Sequence, residues 1–326
     1  MGGMPSYDKA SGKSLSAPLY AAGWDGGGTK TTIEARAEDG TVLMRERFGS
    51  MNLNSAGESS VEATFRDAIA AMRALPGGLE ACGAVCIGSA GVSNPEARTT
   101  LERLLRRCGY PGPLLLVGDH ETALAGALGS PVGMVLIAGT GSICFGRNSA
   151  GDTARAGGYG HKIDDEGSGY ALGRDALAAV VRAADGRAPH TLLTQLVFEK
   201  LDITDLGGLV RFTYAPEIEK KQIASLAPLI EQARDAGDEA AQAITVRAAG
   251  ELAQLAGAVA RAIGMENAEL AMTGSLLLHD NGLRTETQKA LRNQFPEMRF
   301  PAPRSDAASG AALLAWEHLQ SVRHER

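Results

Sequence analysis

The chain has 326 residues, 44% hydrophobic and 21% charged, with a net charge of −6. This is a globular composition, long enough for two domains, and it lacks the basic block that nucleic acid or an anionic membrane surface demands. The four cysteines have no Cys-x-x-Cys or Cys/His spacing, which argues against a disulfide framework or a sulfur-built zinc site, and no apolar run approaches the ~18 residues of a membrane span. The protein is therefore expected in the cytoplasm. Glycine is the anomaly: the 41 glycines cluster behind apolar runs, as in ligand-binding α/β proteins.

Residues 1–18 read as a disordered leader. Gly12-Lys13-Ser14 within it mimics the end of a P-loop, but Tyr7 stands where the first glycine is required. Strands are expected over 20–24, 29–37 and 41–48, joined by Asp25-Gly26-Gly27-Gly28-Thr29-Lys30-Thr31 and by the hairpin signal Glu38-Asp39-Gly40. Val61, Phe65, Ile69 and Met72 share one stripe of a helix over 58–75, closed by Pro76-Gly77-Gly78. Residues 84–88 read as a short buried strand. Cys82 and Cys86, four apart, are expected on one face of that run as small core residues.

Asn94-Pro95 opens a helix with Leu101, Leu104 and Leu105 inward, and the strand 114–117 ends in Gly118-Asp119. A second cycle starts with a buried strand at 134–138 that leads into Gly139-Thr140-Gly141-Ser142. Residues 166–264 read as largely helical and alanine-rich, broken near Gly207-Gly208 and at Pro216. A strand at 269–272 precedes Thr273-Gly274-Ser275, and 306–322 form a last helix. Buried strands that end in Gly or Asp and alternate with helices indicate α/β architecture, with ligands at the C-terminal ends of the strands. The three-strand opening, repeated near 134, implies two similar halves facing a cleft.

Both glycine-hydroxyl loops suit charged ligands. Gly26, Gly27 and Gly28 let successive N–H groups converge on phosphate oxygens. Thr29 and Thr31 add hydroxyls, Lys30 a mobile positive charge, and Asp25 could hold a hydrated Mg²⁺. An ordinary hairpin turn is the alternative. Gly139, Thr140, Gly141 and Ser142 are not a dinucleotide fingerprint, because Cys144 occupies the third glycine position. Two such turns, one from each half, suit a nucleotide lying across an interdomain cleft. Asp119, at the end of a buried strand, could act as a general base or cap the following helix.

These motifs, with Gly157-Gly158-Tyr159-Gly160-His161 running on to Asp165-Glu166-Gly167-Ser168, resemble those of N-acetylglucosamine kinase-like members of the BadF/BadG/BcrA/BcrD ATPase branch of the sugar kinase/actin/Hsp70 superfamily. The resemblance spans residues 20–316 in the right motif order. It implies two actin-like (ribonuclease H-like) domains around an interdomain nucleotide/sugar cleft, one of residues 19–125 plus 306–326 and one of residues 126–305. It implies ATP, Mg²⁺ and transfer to the primary C6 hydroxyl of an amino sugar: N-acetylglucosamine, glucosamine or N-acetylmuramic acid.

By the same resemblance Asp119 is the catalytic base, and Gly274 and Ser275 form the adenosine loop. Asn52 and Asn54 (Asn54 preferred), Thr140, Tyr159 and Asp165 contact the sugar; an amide both donates and accepts, which suits vicinal hydroxyls. His161 could pair with Asp165 or Glu166 to hold its loop. Ile143 departs from the polar residue that the resemblance implies at that position. The alanine-rich run 239–263 is read as a core or dimer helix, and a homodimer is expected. The alternative within the branch is an ATPase activator of a 2-hydroxyacyl-CoA dehydratase or benzoyl-CoA reductase, which needs exposed cysteines for an iron–sulfur cluster between subunits. Cys82, Cys86 and Cys144 lie in or beside buried strands and Cys108 ends a helix. A DNA-binding sugar sensor is disfavoured by the short segment before the first strand and by the missing zinc motif.

Overall fold

A computed structural model describes residues 19–92 and 94–324; the expected leader, with its Gly12-Lys13-Ser14, lies outside them. The chain divides into two compact units: one runs up to Leu116 and takes the chain back from Ala315, and the other is Val117–Leu314. The α/β class expected from the sequence is present in both. Among the described residues, no helix is long and apolar enough to cross a membrane.

The first unit is built on β1 (Tyr20–Gly26), β2 (Thr31–Ala37), β3 (Val42–Phe48), β4 (Cys82–Ser89) and β5 (Leu114–Val117), in the order β3-β2-β1-β4-β5. β1, β2 and β3 are antiparallel neighbours, while β4 runs parallel to β1. Tyr20, Ala21, Ala22 and Trp24 of β1 are all fully buried, as a central strand requires. Helices Glu58–Arg73 and Pro95–Arg107 bury their apolar stripes in the same core as Trp24, whose ring meets Phe65 edge-on at 5.4 Å. Asn94 caps the second of these helices, its side chain accepting from the Glu96 N–H at 2.9 Å.

The second unit repeats the pattern with β6 (Gly133–Ala138), β7 (Ser142–Arg147), β8 (Thr153–Gly157) and β9 (Leu270–Thr273), ordered β8-β7-β6-β9. β6, β7 and β8 form the antiparallel opening, and β9 is parallel to β6 as β4 is to β1. Its core joins this sheet to the helices Gly169–Ala184, Ala227–Asp235 and Glu239–Ala262. The last helix, Ala307–His324, begins in the second unit and ends in the first, where the Trp316 indole N–H donates to the Arg36 carbonyl at 3.1 Å.

Two local expectations are corrected. Cys82 pairs with Tyr20 but Cys86 with Gly23, because the register of β4 slips at Gly83. That extra residue inverts the alternation and puts the two cysteines on opposite faces, with Cys82 in the helix-covered core. The break expected near Gly207-Gly208 lies earlier: Asp202 ends one helix in a left-handed conformation, and both glycines sit in the first turn of Leu206–Tyr214. Asp205 holds them there by accepting the Gly208 N–H at 2.6 Å.

Candidate functional site

In the first unit, Gly26 and Thr31 form the last rung of the β1–β2 ladder, and the Gly27 N–H donates to the Lys30 carbonyl at 3.0 Å, closing the turn. A Cβ on Gly27 would lie 2.8 Å from that carbonyl, and one on Gly26 would lie 2.7 Å from the Met51 methyl. Gly27 therefore requires close backbone approach, while at Gly26 the Met51 side chain fills the space a Cβ would need. Gly28, Thr29 and Lys30 are exposed, while Asp25 is half-buried at the C-terminal end of β1, opposite Thr32 of β2 and Gly88 of β4. Thr31 is fully buried, and neither its hydroxyl nor the Trp24 indole N–H has a hydrogen-bond partner among the described residues.

The sequence reading missed Ser50. Its hydroxyl donates to the Gly27 carbonyl at 3.1 Å and accepts the Asn52 N–H at 3.1 Å, and its own carbonyl accepts the Thr64 hydroxyl at 3.2 Å. Ser50 thus clips the glycine turn to the loop that carries Asn52. The available signal was a serine two residues before an amide, the pattern of a Ser/Thr turn. Asn52 leads into the short helix Leu53–Ala56, which contains Asn54; the Asn54 side chain lies outside what is described.

In the second unit the Gly139 N–H donates to the Gly141 carbonyl at 2.9 Å. The carbonyls of Gly139 and Thr140 accept N–H groups of Gly169 and Tyr170, at 2.7 and 3.3 Å. The N-terminus of Gly169–Ala184 is therefore satisfied by the hairpin, with Ser168 capping Ala171 at 3.2 Å. The Ser142 hydroxyl turns inward and donates to the Glu166 carbonyl at 2.8 Å. Asp165 is 4% exposed with φ at +65°, and its carboxylate lies over Gly141, where a Cβ would be 2.9 Å from Oδ2. A buried aspartate in the left-handed region is a strained position of the kind that clusters at functional sites.

Gly274, at φ +86°, packs on Ala138 so closely that a Cβ would lie 2.6 Å from its carbonyl carbon. This brings Ser275 beside Gly139 and Thr140 in a cavity of about 270 Å³ that Lys221, Ser225 and Pro228 also line. Pro228 and Ser275 also line a second cavity of about 380 Å³, whose other walls include Glu231 and Asp235. A larger cavity, of about 810 Å³, lies between Gly169–Ala184 and the start of Glu239–Ala262 and contains none of the expected site residues.

Asp119 is the first residue of the helix Asp119–Leu128, with its side chain 52% exposed. Capping falls to Glu121, whose carboxylate accepts the Gly118 N–H at 2.9 Å, while Asp119 accepts the adjacent His120 N–H at 3.0 Å and lies 3.5 Å from His120 Nδ1. The His120 ring packs on Phe145 at 4.6 Å. On the loop 158–168, Tyr159 is 59% exposed beneath the Arg155 guanidinium, 4.9 Å from its ring centre. The pairing expected of His161 is replaced: its ring meets Tyr170 at 4.7 Å, and Arg174 takes Glu166 in two hydrogen bonds of 2.8 and 2.9 Å. Those bonds hold the Glu166 carboxyl below the ordinary range. Ile143 packs against Gly158, filling the space a Cβ there would need.

Among the described residues, no three His, Cys, Asp or Glu side chains gather to hold a metal. Cys82, Cys86 and Cys144 are buried and Cys108 is half-buried; burial pushes the Cys82 thiol up to about 12.

The model of the BadF/BadG/BcrA/BcrD ATPase family matches residues 22–315. The N-acetylmuramic acid/N-acetylglucosamine kinase of Clostridium acetobutylicum is 36% identical over 91% of this chain and 98% of its own length. The N-acetyl-D-glucosamine kinase of Dictyostelium discoideum is 31% identical over 90% of this chain and 96% of its own. The solved structure of a proposed N-acetylglucosamine kinase from Chromobacterium violaceum has a TM-score of 0.70 at 31% identity, covering 91% of this chain and 99% of that one.

Proposed function

The chain belongs to the BadF/BadG/BcrA/BcrD ATPase family, and on that premise we propose that it is an ATP-dependent kinase that phosphorylates the C6 hydroxyl of an amino sugar. N-acetylglucosamine is the first candidate acceptor, with N-acetylmuramic acid and glucosamine beside it, since relatives of this chain carry those names. The observation that carries the reading is the second unit's cavity, where the Gly139-Thr140-Gly141 hairpin meets the Gly274-Ser275 turn.

The fit to a nucleotide rests on the glycines. Side chains at Gly27 and Gly274 would strike this chain's own backbone, so glycine keeps both turns tight, and the exposed residues 28–30 and the cavity beside Gly139, Thr140 and Ser275 are what phosphates and a nucleobase could approach. In this reading residues 26–31 and 139–142 serve the phosphates, and Gly274 and Ser275 the adenosine. Thr31 and Ser142 are buried whole, so they would support the two turns from behind while the exposed residues 28–30 and the half-buried residues 139–141 meet the phosphates. Asp25 would hold Mg²⁺, a cation that uses few carboxylates, keeps waters and neutralises phosphate charge when bound.

Asp119, relieved of capping by Glu121, takes the proton from the C6 hydroxyl as its oxygen attacks the γ-phosphorus in line. Asn52, Asn54, Thr140, Tyr159 and Asp165 orient the sugar, with Ser50 holding the Asn52 backbone. The same reading makes the protein a cytoplasmic homodimer.

The test is ADP release from MgATP in the presence of N-acetylglucosamine, N-acetylmuramic acid, glucosamine or glucose, with a no-sugar control. Release that depends on an amino sugar is expected; equal release with and without every sugar would overturn the kinase reading.

A further inference from the structure

The two glycine turns differ in their local charge. The first contains Lys30, whereas no cationic residue occurs between Gly139 and Cys144. The cavity beneath the second turn nevertheless has one ionisable lining residue, and it is a cation: Lys221. We infer that Lys221 is the second unit's phosphate-binding cation, contacting the nucleotide's phosphate chain beside Gly139 and Thr140. This deepens the nucleotide reading of that cavity and rests on it.

The packing explains how a residue so distant in sequence reaches the hairpin. Lys221 belongs to the short helix Lys220–Ala224, which is pressed onto the start of Gly169–Ala184 at two glycines. A Cβ on Gly173 would lie 2.8 Å from the Ile223 carbonyl carbon, and one on Gly169 would lie 3.4 Å from the Ala224 Cβ and 3.0 Å from the Gly139 carbonyl oxygen. Gly169 is also the residue whose N–H binds the Gly139 carbonyl at 2.7 Å. One helix start therefore holds both the hairpin and the segment bearing Lys221. Lys221 is exposed and has no carboxylate partner among the described residues, so its ammonium is available to an anion. The other residues lining this cavity are neutral, which suits a nucleoside with its charge at one end.

The test compares adenosine and ADP, the latter with Mg²⁺, binding to wild type, Lys221→Gln and Lys221→Arg by calorimetry. Lys221→Gln is expected to weaken ADP roughly tenfold, the scale of one charge-assisted contact. Its adenosine affinity stays at the wild-type value, and Lys221→Arg recovers ADP binding. Equal loss for adenosine and ADP, or no loss for either, would overturn the inference while leaving the nucleotide reading standing. Wild-type protein that binds neither compound would overturn both.

Discussion

The turn 26–30 of the first unit and the hairpin 139–141 of the second share residue types but are held in opposite ways. The first exposes Gly28, Thr29 and Lys30, and the Ser50 hydroxyl takes its Gly27 carbonyl. The second has carbonyls bound by a helix N-terminus, a buried Asp165 carboxylate over Gly141 and Gly274 wedged under Ala138. One is a turn with a local cation; the other is a cradle whose charge comes from elsewhere in the fold. Similar glycine-hydroxyl strings therefore yield an adaptable contact in one place and a preorganised one in another.

Asp119→Asn separates chemistry from both turns. Turnover is expected to fall by roughly 10²–10⁴-fold, the range for a positioned base, with ADP affinity unchanged by calorimetry; wild-type turnover would remove Asp119 from the mechanism. In the cradle, Gly274→Ala forces a side chain into a left-handed position against backbone and should cost about 2–4 kcal/mol in urea unfolding. In the outward turn, Gly27→Ala meets only the Lys30 carbonyl and should cost about 1 kcal/mol. Equal costs would erase the proposed difference in rigidity.

Ser50→Ala removes the clip and should cost about 1 kcal/mol, raising the sugar KM more than kcat; an unchanged KM would confine Ser50 to folding. The smallest effect concerns Glu166, whose carboxyl is held below its ordinary 4.5 by the Arg174 hydrogen bonds. A depressed folded pKa adds stability above the unfolded value and loses it as pH falls through the folded one. Because this pair is well exposed, Arg174→Gln should cost at most about 1 kcal/mol at neutral pH. The gap from wild type should close in acid thermal melts, and a pH-independent gap would contradict the ion-pair account.

The α/β class, the three-strand opening repeated at β6, and both glycine turns were legible because each is written locally, in apolar runs that end at Gly or Asp. Asp119 was legible as a residue but not in its freedom from capping, since that depends on Glu121 reaching back to Gly118. Ser50 was missed because its partner lies across a loop, and Lys221 because helix packing at Gly169 and Gly173 sets its position. The opposite faces of Cys82 and Cys86 turn on one extra residue, Gly83, which a period-2 reading cannot detect. The glycines at 207 and 208 looked like a breaker until Asp205 supplied a cap.

Phosphorus NMR of protein, MgATP and N-acetylglucosamine tests the central claim most directly. The account predicts ADP together with a phosphomonoester coupled to the two C6 protons of the sugar, and no such signal when the sugar is omitted. Inorganic phosphate as the sole new species, at the same rate with and without sugar, would contradict it.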